Sequence, residues 1–78
     1  MPEITEEEAR NVLHYFGHPQ GWEPGSFTST LLSAIGKADL GNRALIGLGF
    51  PGLVAAMGLA QHAADGIDRL LLIAEGRA

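Results

Sequence analysis

Seventy-eight residues make one small domain that hides about 60 to 65% of the surface its unfolded chain exposes, so a single core is the limit. Without cysteine, neither disulfides nor thiolate metal sites can brace it, and packing or association must supply the stability. Nine carboxylates stand against five scattered Lys and Arg, a net charge of −4 that argues against nucleic acid as a partner.

The opening "MPEITEEEAR" lacks the basic and apolar regions of a secretory signal, so export by that route is not expected. Instead it starts a helix. Thr5 can cap, Glu8 completes a capping box, and Ile4 can staple onto Ala9. Ala9, Val12, Leu13 and Phe16 form one apolar stripe, with Gly17 placed to stop the helix, which gives a first helix over residues 6–16. The early glutamates are read as helix-dipole partners rather than as a metal or proton site.

"GHPQGWEPG" is a loop, because Pro19 and Pro24 remove donors and restrict the residues before them. Trp22 within it is either a lid over the core or an exposed anchor for a partner. Ser26 is the expected N-cap of a second helix whose buried stripe is Phe27, Leu31, Ala34, Ile35 and Ala38. Asp39 can cap a short third helix with Leu40, Ala44, Leu45 and Leu48 facing inward.

Pro51 suits the first turn of a fourth helix. From there Leu53, Met57, Ala60, Ala64, Ile67, Leu71 and Ala74 keep a 4,3 spacing over three heptads, which favours one long helix or two nearly collinear ones. "ADGID" offers a break, with Asp65 as a second cap. No segment alternates with period two, so the expected class is all-α, a single-domain bundle of four or five helices over residues 1–78.

Several chemical motifs fail on context. "GLGFPG" satisfies G-x-G-x-x-G, but no strand precedes it and the chain is too short for the sheet that the dinucleotide fingerprint requires. "GWEPGS" lacks the lysine of a phosphate loop. His14, His18 and His62 have no acid in ligand spacing, and Gly17 with Pro19 just beyond ends the helix between the first two, so no metal or cofactor is expected. With no cysteine nucleophile and no G-x-S-x-G elbow, an enzyme is not expected either. Residues 44–64 carry no formal charge, a borderline length for a bilayer, yet Pro51 and four glycines argue against a membrane span. A short membrane-active protein therefore ranks as a minor alternative.

The residues Gly25 to Thr28, Leu32, Ala34, Ile35, Ala38, Asp39, Asn42, Arg43, Phe50, Pro51 and Val54 to Ala56 form a pattern, G-S-F-T, L, A-I, A-D, N-R, F-P and V-A-A. In this, residues 23–57 resemble small, mostly uncharacterised accessory proteins of actinobacterial phages, especially mycobacteriophages. "HYFG" and "DGIDRL" extend the likeness weakly. The resemblance implies a phage-encoded protein of the host cytoplasm and carries over no catalytic residues. Gly41, Gly47 and Gly58 depart from it, standing where better helix formers are expected.

The favoured function is a non-enzymatic helical module that self-associates and binds a host or phage protein. A helix-turn-helix regulator built from the second and third helices is the alternative, though Asn42 and Arg43 would be its only polar readers. Leu70, Leu71, Leu72 and Ile73 point about 100° apart, more than one small core can cover. Ile67, Leu70, Leu71 and Ile73 are therefore the expected homo-oligomer interface, together with Trp22.

Overall fold

The computed structural model describes residues 2–78, and among them it contains five helices and no strand. Helix α1 (Glu6–Tyr15) opens on the capping box that the sequence predicts: Thr5 Oγ1 accepts from the Glu8 N–H at 3.1 Å while the Thr5 N–H donates to Glu8 Oε1 at 2.9 Å. Gly17, at φ +78°, takes the left-handed turn after the helix. Ala9, Val12 and Leu13 are fully buried, but Phe16 stands 43% exposed with its ring edge-on to Tyr15.

Helix α2 (Ser26–Lys37) starts one residue earlier than expected. Gly25, extended at ψ 171°, is the N-cap, no side chain caps the helix, and Ser26 is already its first residue. The expected stripe is also rotated. Leu32 and Ile35 are buried, whereas Phe27 is 67% exposed and Ala34 lies on the surface. Gly36 explains the turn: a Cβ there would lie 3.2 Å from the Tyr15 hydroxyl and 3.5 Å from Met57 Cε, so the helix makes its close approach on that side. Phe27 and Ala34 then point away.

Asp39 caps α3 (Leu40–Gly49) as expected, its Oδ1 accepting from the Asn42 N–H at 2.8 Å. The inward face does not follow. No residue of α3 is buried, and Leu40, Leu45 and Leu48 are 86, 65 and 83% exposed. Ile46 and Gly47 face α4 (Pro51–His62) instead, and the Arg43 guanidinium donates to the Ile35 carbonyl at 3.0 Å and to Gln61 Oε1. Because only Ala38 and Asp39 join α2 to α3, this grip near the end of α2 sets the roll of α3 and turns its leucines outward.

Pro51 begins α4, which packs against all four other helices. Leu53, Ala56, Met57 and Leu59 supply its buried face. Beside its first turn, the Glu8 carboxylate lies against Gly52 where no side chain caps the helix, a favourable place for negative charge.

The long or collinear final helix is overturned. Ala63 is extended, and the chain reverses into α5 (Gly66–Ala74) so tightly that a Cβ on Gly66 would overlap the Leu59 carbonyl. In a straight helix those two residues would be about 10 Å apart along the axis. The heptad stripe is thereby split between two helices that pack on each other, and Ala64 is left exposed in the connector. Asp65 occupies the cap position of α5 without a side-chain hydrogen bond. Helices α1, α4 and α5 enclose the core, with α2 and α3 along one side of α4.

Two predictions follow from the caps and glycines, both read by urea unfolding. Asp39→Ala and Thr5→Ala each lose about 1 kcal/mol, while Ser26→Ala changes stability by less than about 0.5 kcal/mol. Gly66→Ala, forced against backbone, costs about 2–3 kcal/mol. Gly58→Ala, inside α4 with open space at its Cβ position, gains about 0.5–1 kcal/mol.

Candidate interaction surface

The five residues expected at an interface lie in different environments. Leu70 is fully buried between the helices of the core, so it has no surface to offer a partner. Ile67, Leu71 and Ile73 are half-buried against the same core. Only Leu72 of the four consecutive apolar residues is exposed, at 38%. One small core does cover most of them, because the chain reversal brings α4 to one side of α5 and α1 to another.

Trp22 is 47% exposed and lids no core. Its backbone is strapped to α1: the Trp22 N–H donates to the Arg10 carbonyl at 3.0 Å, and the buried Asn11 side chain donates to the Trp22 carbonyl at 3.0 Å. The indole lies over the Arg10 guanidinium, 4.7 Å from centroid to carbon. Arg10 also donates to Glu6 Oε2, to the Gln20 carbonyl, and at 3.2 Å to the Ala74 carbonyl in the last turn of α5. One side chain thus joins the loop, α1 and the end of α5.

The roles of Arg10, Asn11, Arg43 and Gln61 as structural ties depend on distant partners and do not follow from local sequence. A signal existed for two of them. Asn11 is the uncharged one of the two polar residues between the apolar stripe positions Ala9 and Val12, and Arg43 is the last charge before the uncharged run of residues 44–64.

The histidines do not converge: among the described residues no group of three or more His, Cys, Asp or Glu is arranged to hold a metal ion. His18 Nδ1 accepts from the Gln20 N–H at 3.0 Å and so stabilises its own turn. Near the chain ends an open groove of about 400 Å³ is lined by Pro2, Glu3, Ile4, Ile73, Gly76 and Ala78, with one ionisable side chain and no polar cluster. Among the described residues no helix is long and apolar enough to cross a membrane, and the uncharged run is divided at Phe50 between α3 and α4.

The most extended apolar surface is on α3. Leu40, Gly41, Ala44, Leu45 and Leu48 share a sector of about 140° on the helix surface, all of them exposed. Ile46 and Arg43 lie on the other side and face the fold, and Gly47, at the edge of the exposed sector beside Leu40, lies against Val54. At the C-terminal end, Phe50 meets Phe27 with ring centroids 5.9 Å apart, and both rings are partly exposed. None of these five side chains is charged; Arg43 points inward, and the exposed Asp39 carboxylate borders the face at Gly41 while it caps the helix start.

No protein-family model, curated protein or solved structure matches the chain.

Arg10→Lys keeps the charge but loses the planar fork that reaches two carbonyls and the indole at once. It is expected to lower stability by about 1–2 kcal/mol in urea unfolding and to raise acrylamide quenching of Trp22 fluorescence in the native protein.

Proposed function

We propose that the chain is a non-enzymatic helical module that binds another protein through the outer face of α3. The observation that carries this reading is the orientation of that helix, with three leucines turned to solvent and its only arginine turned inward. Apolar surface of this extent on a small protein is characteristic of interaction sites. It also moves the proposed contact from α5, whose Leu70 is enclosed, to α3. The resemblance of residues 23–57 to actinobacterial phage proteins adds a setting, a phage-encoded protein meeting a host or phage partner in the host cytoplasm.

The helix-turn-helix reading is weakened by the same orientation. Arg43 is committed to the Ile35 carbonyl and Gln61, which leaves Asn42 as the one polar side chain on an otherwise apolar candidate recognition helix.

Affinity capture from an actinobacterial host lysate tests the reading. Wild type and Thr30→Asp, altered at an exposed position on α2, should retain the same partner, and the double variant Leu45→Asp/Leu48→Asp should lose it. Because both leucines are exposed, the double variant should still melt like wild type. A partner retained equally by all three proteins, or retention of labelled host DNA at low salt by wild type alone, would overturn the proposal.

A further inference from the structure

Resting on the reading of α3 as a contact surface, we propose that a second copy of this chain covers it, the two α3 helices pairing antiparallel about a twofold axis at Ala44. The spacing on the exposed face is symmetric about that residue. Leu40 lies four residues before Ala44 and Leu48 four residues after it, so a twofold axis sets Leu40 of each chain against Leu48 of the other. Two such contacts flank a centre where the small Ala44 side chains meet. Gly41, on the same face, has no Cβ, and one built there would meet nothing nearer than the Asp39 carboxylate at 3.7 Å. Small residues at the centre with leucines at both ends let the helix axes come close while the longer side chains interdigitate.

Area and charge agree with this occupant. With Leu40, Leu45, Leu48 and Phe27 exposed at 86, 65, 83 and 67%, each copy offers at most roughly 600 Å² of surface on these residues, and covering all of it in both would remove roughly 1,200 Å², the lower edge of specific interfaces. A surface that pairs with itself must not repel itself: the side chains of this face are uncharged although the chain carries −4, and a twofold axis at Ala44 sets the two bordering Asp39 carboxylates about 15 Å apart along the helices. The antiparallel arrangement also opposes the two helix dipoles. A membrane surface is the poorer match, because interfacial helices flank their apolar face with Lys and Arg, and the one arginine of α3 is turned inward.

The absence of cysteine makes each introduced thiol unique. Light scattering after gel filtration at tens of micromolar should give twice the 8.2 kDa chain mass for wild type and the single-chain mass for Leu48→Asp and Leu40→Asp, both keeping the wild-type helical signal and a cooperative melt that is lower by the lost association and no longer depends on protein concentration. On oxidation, Ala44→Cys should cross-link to itself and Asn42→Cys should not. Leu40→Cys and Leu48→Cys should each stay single alone and cross-link when mixed. A wild-type monomer, a dimer indifferent to both aspartates, or Leu40→Cys linking to itself would each overturn the proposal. A monomer that sediments with anionic phospholipid vesicles would assign the face to lipid instead. If wild type is a monomer whose lysate partner is still lost with Leu45→Asp/Leu48→Asp, the second copy is excluded and the interaction reading stands; if that capture is also unchanged, both fall.

Discussion

The approach of Gly66 to the Leu59 carbonyl governs the arrangement of the whole molecule. A side chain at residue 66 would hold the start of α5 away from the last turn of α4, and the reversal after His62 could not close. With glycine there, α5 returns along α4, and the two helices together receive α1. Val12 and Leu13 of α1, Met57 of α4 and Leu70 of α5 then become fully buried in one cluster. The glycine costs backbone entropy in the unfolded chain, but it makes possible the burial on which a domain without cross-links depends.

Around this core the attachments are increasingly polar. Loop residues 17–25 are held to α1 by the Arg10 and Asn11 side chains and by the Trp22 N–H, so an exposed indole sits on a well-anchored backbone. Helix α2 contributes Leu32 and Ile35 to the core, and α3 contributes no buried side chain. What orients α3 is Arg43, whose bond to a carbonyl near the C-terminus of α2 is favourable both as a hydrogen bond and against the helix dipole. The exposed apolar face of α3 is a by-product of that bond: once the arginine is inside, the leucines on the other side of the helix are outside.

Features decided within a few residues were legible in the sequence. The Thr5 and Glu8 box, the Asp39 cap, the left-handed Gly17 and the Pro51 start depend on neighbours one to three positions away, and each stands where the residues predict it. The all-helical class followed from the same signals. The facing of α2 and α3 was not legible, because rotation about a helix axis is set by distant partners: Gly36 against Tyr15 and Met57, Arg43 against Ile35 and Gln61. Ser26 was misassigned by one residue because a glycine can supply the extended cap conformation without a side-chain bond. The 4,3 spacing across Ala64 misled for a related reason, since a regular apolar period is compatible with two helices folded onto each other as well as with one continuous helix. That error also carried the expected interface to α5, whose Leu70 the reversal encloses.

The lack of any buried side chain on α3 has a consequence for how the protein fluctuates. Hydrogen exchange in native proteins proceeds through cooperative units whose opening energies follow their buried contacts. Within one chain, opening α3 would expose half-buried groups, Ile46 and the face of Gly47 against Val54, part the Phe50 and Phe27 rings and release the bonds of Arg43, while α1, α4 and α5 keep their own contacts with one another. Of the five helices, α3 is thus the one whose opening within a single chain exposes the least buried surface. Its amides exchange through excursions that leave the rest of the native state intact.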